Sequence, residues 1–225
     1  VRAARQVSDE DNDVVLAAVT AAAARLGLWV HLGSLALRGE DERFVNRGFV
    51  IDAAGKVRAR YDKLHLFDVD LPSGESWRES AAYAAGKRAV VARTPVGQLG
   101  LSICYDLRFA ALYRALSDAG ATVLAIPAAF TRPTGGAHWH VLMRARAIES
   151  GAYVVAAAQT GIHEDGRATF GHSLVVDPWG EVVLDMGEAS GLGFAEVDMA
   201  RVDDVRARIP VIAHRRAIPP VELVA

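Results

Sequence analysis

In Gly100-Leu101-Ser102-Ile103-Cys104-Tyr105-Asp106-Leu107-Arg108-Phe109 an apolar strand runs out at Cys104 and a helix takes over within a few residues. The one cysteine among 225 residues therefore stands where backbone N–H groups and the positive end of a helix dipole favour its thiolate. A lone cysteine is also commonly a buried structural residue, so the spacing nominates Cys104 as a nucleophile and leaves the structural role open. A single cysteine excludes an internal disulfide framework and a Cys-rich zinc site, which makes a reducing cytoplasm the expected compartment.

Outward from that stretch the pattern alternates. Ala89 to Arg93 and Gln98 to Ile103 read as strands, Phe109 to Ala119 as a helix, and Thr122 to Ile126 as a buried strand. A helix over His138 to Ser150 and a strand over Tyr153 to Ala158 follow. In the last third, Gly171 to Asp177, Glu181 to Asp185 and Leu192 to Val197 read as short strands. The turn Asp177-Pro178-Trp179-Gly180 joins the first two, and a helix over Met199 to Arg208 closes the series. Upstream, a polar opening with Arg2 and Arg5 leads into a helix that carries Val14, Val15, Ala18, Val19 and Ala22 on one face and stops at Gly27. Strands over Leu28 to Leu37, Phe44 to Asp52 and Lys56 to Tyr61 come next, the last two around the turn Asp52-Ala53-Ala54-Gly55. Lys63 to Ala85, with Pro72 and Gly74, has no period and reads as a long functional loop. These mixed elements predict one α/β domain over residues 1–225, with helices covering sheets.

Composition narrows the partners. A net charge of −2 gives no basic field for nucleic acid, and no apolar run is long enough for a bilayer, so neither partner is expected. In Tyr61-Asp62-Lys63-Leu64-His65-Leu66-Phe67 a lysine sits in an apolar setting just after a strand. Turned inward, Lys63 would suit a developing oxyanion; turned outward, it is a solvated strand-end lysine. Glu79 follows in the loop without a distinctive local pattern. His138-Trp139-His140 offers two imidazoles, but no third ligand lies nearby and positions two apart diverge on a helix, so no metal is expected. A Cys–His thiol hydrolase of unrelated type would require a histidine within hydrogen-bond reach of Cys104.

Taken in order, Asn46 to Asp52 with Arg60 to Asp68, Gly100 to Phe109, Ala137-His138-Trp139 with Arg144 to Glu149, and Gly171 to Gly180 resemble the Nit branch of the nitrilase superfamily of carbon–nitrogen hydrolases. The resemblance implies a four-layer α-β-β-α sandwich. It also implies a Cys–Glu–Lys site with Cys104 as nucleophile, Lys63 as the lysine and Glu79 as a second, supporting glutamate. Tyr105, Arg108 and Phe130 are the candidate substrate-binding residues, with Tyr105 supplying a backbone N–H and Arg108 either meeting a substrate carboxylate or holding its own helix through an ion pair. No cofactor or metal is implied. The expected reaction is amide hydrolysis of a small carboxylate through a thioester, on a substrate like deaminated glutathione or, alternatively, an ω-amide like α-ketoglutaramate. A homodimer or higher homo-oligomer is implied as well. In that family a first glutamate, the general base, ends a Pro-Glu strand before the helix that here spans Val14 to Leu26. No such dipeptide is present, so the first β-α-β portion is expected to be missing, which also allows an inactive binding module. His140 stands where the family commonly has glutamate.

Overall fold

The computed structural model describes residues 8–40, 43–70, 74, 76–164 and 166–224; Arg2, Arg5 and Pro72 lie outside them. Helix α1 (Val14–Leu26) starts at Asp13, whose carboxylate accepts the N–H groups of Val15 and Leu16, and ends at Gly27 in the left-handed conformation. Its buried residues are Leu16 and Ala23, with Val19 packed beside them, whereas Val14 and Val15 face solvent. The face expected from sequence is thus rotated: i, i+3, i+7 from Leu16 is the stripe that meets a sheet.

That sheet is β1 (Val30–Arg38), β2 (Phe44–Ile51) and β3 (Val57–Asp62), antiparallel in that order. Asp52 ties the β2–β3 turn by accepting the N–H groups of Ala54 and Lys56, both at 2.9 Å. The long loop that follows is not wholly irregular. It contains a small hairpin of β4 (Asp68–Asp70) and β5 (Ser76–Arg78) and a single 3-10 turn at Glu79–Ala81.

The second sheet begins with β6 (Val91–Thr94) and β7 (Gly97–Leu101). A 3-10 helix (Cys104–Arg108), α2 (Ala110–Asp118), β8 (Val123–Ala125), α3 (Arg132–Ser150) and β9 (Tyr153–Ala156) follow. A hairpin of β10 (Thr160–Ile162) and β11 (Ala168–Phe170) leads to β12 (Leu174–Val176), β13 (Val182–Asp185) and α4 (Met199–Arg208). The sheet order is β13-β12-β9-β8-β7-β6, with β7, β8 and β9 parallel at the centre.

Three apolar clusters show the layers. Leu16, Ala23, Leu37, Phe49 and Ile51 join α1 to the first sheet. Val50 and Tyr61 pack on Leu101, Ile103, Val123 and Ala125 between the sheets. Leu112, Leu116, Trp139 and Met143 of α2 and α3 cover Leu124, Ile126 and Val154 on the far side. The architecture is α-β-β-α.

Three further points differ from the sequence reading. Helix α3 starts six residues before His138, at Arg132. The β10–β11 hairpin has no counterpart in the sequence reading. Leu192 to Val197 forms no strand: Leu192 and Phe194 are 87% and 85% exposed, and the alternating pattern there meets no ladder partner. Among the described residues, no helix is long and apolar enough to cross a membrane.

Candidate active site

Where the two sheets meet, a cleft of about 870 Å³ opens, lined by Lys63 and Glu79 from the first sheet's side and by Cys104, Tyr105, Arg108 and Phe130 from the second. All six residues singled out in the sequence therefore face one space.

Cys104 is held by its own strand-to-helix turn. Past the end of β7, the Ser102 N–H and hydroxyl both donate to the Ala125 carbonyl, and the Cys104 N–H donates to the Pro127 carbonyl at 2.9 Å. Cys104 itself has φ of +51°, a left-handed conformation uncommon away from glycine. Asp106, wholly buried, fixes this turn. Its carboxylate accepts the Ile103 N–H (2.9 Å), the Tyr61 hydroxyl (2.6 Å) and the His65 N–H (3.0 Å), and it lies 2.7 Å from His65 Nδ1. The sequence reading missed Asp106. The available signal was an acid at the third helical position, where a carboxylate can turn back on the preceding N–H.

The thiol is not the ready thiolate that the helix start suggested. Burial pushes the Cys104 pKa above its ordinary value, while the Lys63 charge and the Ala129 N–H pull it down less strongly. A 3-10 helix of five residues offers little dipole against that desolvation.

Lys63 turns inward and is buried. Its backbone is gripped on both sides: its N–H donates to the Asn46 carbonyl at 2.9 Å and its carbonyl accepts the Gly86 N–H at 2.8 Å. Gly86 is needed for that grip, since a Cβ there would lie 2.0 Å from the Asp62 carbonyl oxygen. The ammonium donates to Glu79 Oε2 at 2.6 Å, and the same oxygen accepts the Phe67 N–H at 2.6 Å. The solvated-lysine alternative does not hold.

Arg108 makes no ion pair among the described residues. Its guanidinium lies 5.2 Å from the Phe130 ring centroid, with a nitrogen 3.2 Å from His138 Nδ1. The start of its helix is secured instead by buried Arg146, which donates to the Leu107 carbonyl at 3.0 Å and pairs with Glu149 at 2.8 Å. Phe130 is buried against Trp139, and Tyr105 meets Phe67 and Phe109 edge-on. Residues that the sequence analysis did not name as site residues also line the cleft, among them Asn46, Trp77, Arg78, Gln159 and Arg167. No histidine does among the described residues, so the Cys–His reading lacks its partner.

The carbon–nitrogen hydrolase family profile matches residues 2–207. The chain belongs to that family. It is 49% identical over 179 residues to a deaminated glutathione amidase of Synechocystis sp. (strain PCC 6803 / GT-S), covering 79% of this chain and 66% of that protein. The crystal structure of the C. elegans NitFhit protein superposes with a TM-score of 0.85 at 44% identity, over 92% of this chain and 50% of that one. A point mutant of the amidase from Nesterenkonia sp. AN1, described as carrying a Michael adduct of acrylamide at its active-site cysteine, superposes with a TM-score of 0.74 at 28% identity, over 91% of this chain and 77% of that one. The chain thus spans about two thirds of the length of the first relative and half that of the second.

Proposed function

We propose that this cleft hydrolyses the C–N bond of a small linear amide bearing a carboxylate. The observation that carries the reading is buried Lys63 paired at 2.6 Å with partly buried Glu79, in one cleft with the chain's single cysteine. The Cys104 sulfur, once deprotonated, attacks the amide carbon and forms a C–S bond. The oxyanion that results is held by the Lys63 ammonium and the Tyr105 N–H, which stands in the first helical turn where N–H groups lack intrahelical partners. The C–N bond then breaks, ammonia leaves, and water attacks the thioester to release the acid and restore the thiol. Glu79 holds the Lys63 side chain in the cleft through the 2.6 Å contact with its nitrogen. Proton transfer from thiol and water needs a base other than this occupied carboxylate; the family resemblance assigns it to a glutamate on a strand preceding α1.

Arg108 and Arg167 line the cleft and favour an anionic substrate, whereas Arg78 beside them is already paired with Asp70 at 2.8 Å. With relatives named deaminated glutathione amidase, the substrate proposed is a deaminated-glutathione-like amide, ahead of an α-ketoglutaramate-like ω-amide. A second reading, a binding module without turnover, draws on one observation: Glu79 is the sole carboxylate among the described lining residues, and it is already paired. Ammonia release from a panel of ω-amides, with intact-mass detection of an acyl adduct, separates the two. Turnover with an adduct at Cys104, lost in Cys104→Ser with an unchanged circular dichroism spectrum, is the expected result. Undiminished release in the serine variant would sink the assignment, and ligand binding without release would favour the module.

A further inference from the structure

Outside the residues that line the cleft lies a cluster that the reaction above leaves unused. His140 projects from α3, His172 from the connection between β11 and β12, and Asp185 from the end of β13. Their ligating atoms all lie within 4.8 Å of one another. We propose that His140 Nε2, His172 Nδ1 and an Asp185 carboxylate oxygen form a binding site for one divalent first-row transition ion of the zinc type, clipping these three elements together.

The donor set is the first argument. Two imidazoles and one carboxylate suit Zn²⁺ or Co²⁺ and suit neither Ca²⁺ nor Mg²⁺, which take oxygen ligands. Spacing is the second. His140 Nε2 lies 2.8 Å from Asp185 Oδ2, and His172 Nδ1 lies 2.9 and 3.1 Å from the two oxygens. Ligands at about 2.0–2.2 Å from a tetrahedral ion sit roughly 3.3–3.6 Å apart, so small side-chain rotations open the cluster around a metal.

The third argument is that the ligands are oriented by groups outside the cluster. The Phe170 ring stacks on His172 at 4.3 Å. The His172 backbone is fixed by its N–H to the Gly187 carbonyl (2.6 Å) and by the Trp139 indole N–H on its own carbonyl (2.9 Å). Asp185 Oδ1 accepts the Gly187 N–H at 2.9 Å, so this outer shell holds a ring and a carboxylate that would otherwise swing. Access is the fourth: the three side chains are 35%, 24% and 30% exposed, which admits an ion and leaves a fourth position to water. The alternative is a plain hydrogen-bonded cluster in which both rings serve Asp185.

Metal titration of the chelator-treated protein, with Cys104→Ser as parent to remove the thiol, decides between them. The expected result is uptake of one Zn²⁺ or Co²⁺ per chain with Kd below about 10 µM and a d–d absorption band for Co²⁺. His140→Ala and His172→Ala should each weaken uptake at least tenfold. Zn²⁺ should raise Tm by several degrees in the parent and not in those variants. Asp185→Asn, which keeps the shape of the cluster, should also weaken uptake. No uptake at about 100 µM Zn²⁺, or equal uptake by the parent and both alanine variants, overturns the site. None of these readings needs substrate, so they stand or fall apart from the amidase proposal.

Discussion

The two sheets that bracket the cleft are built in different ways. In the second, all of β8 is buried and the parallel core of β7, β8 and β9 is covered by α2 and α3. In the first, three antiparallel strands are covered by α1, and Leu37 is the one fully buried residue of β1, the others, His31 included, being partly buried or exposed. Cys104 comes from the well-covered sheet and Lys63 from the less covered one. A parallel core fixes the sulfur through the chain around it, whereas the ammonium is placed by how the first sheet docks. Asp106 is the tie between them, since it belongs to the Cys104 turn and bonds Tyr61 and His65 on either side of Lys63.

The sharpest way to break this comparison is to leave both sheets intact and remove the charge that bridges them. Lys63→Met should lower kcat/KM by about 10²–10³-fold, the usual loss for one oxyanion donor. It should also slow iodoacetamide labelling of Cys104, because Lys63 is the strongest influence lowering that thiol's pKa. Glu79 would be left as an unpaired, mostly buried carboxylate, so the single variant should also lose stability. Adding Glu79→Gln should restore much of that stability and none of the activity. Full activity in Lys63→Met would remove the lysine from the mechanism.

Much of this arrangement was legible in the sequence, for local reasons. A strand that stops at a cysteine and a lysine just past a strand end are short-range patterns, and they led to Cys104 and Lys63. What was not legible depends on closure over long range. Glu79 meets Lys63 across a hairpin with no apolar period, so it was named through the family resemblance and not by a local pattern, and Asp106, which meets Tyr61 across 45 residues, was not named at all. The first turns of α3 were hidden by composition, since Pro133, Gly135 and Gly136 read as breakers. Proline is tolerated there because the helix is just starting. Gly135 is there because a Cβ would lie 2.3 Å from Phe170 Cγ: the glycine admits a ring and does not end a helix. His140 diverges from His138, as the spacing required, and reaches ligand-type neighbours contributed by β13 and by the approach to β12.

The tie between the sheets gives the next prediction. Asp106→Asn keeps shape but removes the charge that serves four contacts, and its amide nitrogen would face either both the Tyr61 hydroxyl and the Ile103 N–H or both the backbone N–H and Nδ1 of His65. The expected cost is about 2–4 kcal/mol in urea unfolding, as for other disrupted buried charge-assisted networks. A merely structural tie would lower stability alone. A positioning role predicts in addition that Cys104 alkylation at 20 °C, far below the variant's Tm, changes its pH profile. A variant of wild-type stability and wild-type alkylation profile would mean the two sheets dock without it.

The smallest effect at neutral pH belongs to the less covered sheet itself. His31 lies on β1, opposite Val50 in the ladder and close to Gly33 and Gly48. Burial lowers its pKa from 6.5 to about 4, so the ring is neutral in the folded protein. Between those values the unfolded chain binds more protons than the folded one. Stability is therefore complete above pH 6.5 and is lost as pH falls from there towards 4. The loss from this one group is about 1 kcal/mol at pH 6 and up to about 3 kcal/mol at pH 4. Urea midpoints of the wild type and of His31→Gln, followed from pH 7 to pH 4, isolate the contribution. The variant starts lower through its altered packing but should have the shallower acid limb, so the two curves converge. Parallel curves would show that His31 keeps an ordinary pKa, and that the acid sensitivity of this fold resides elsewhere than in its thinner sheet.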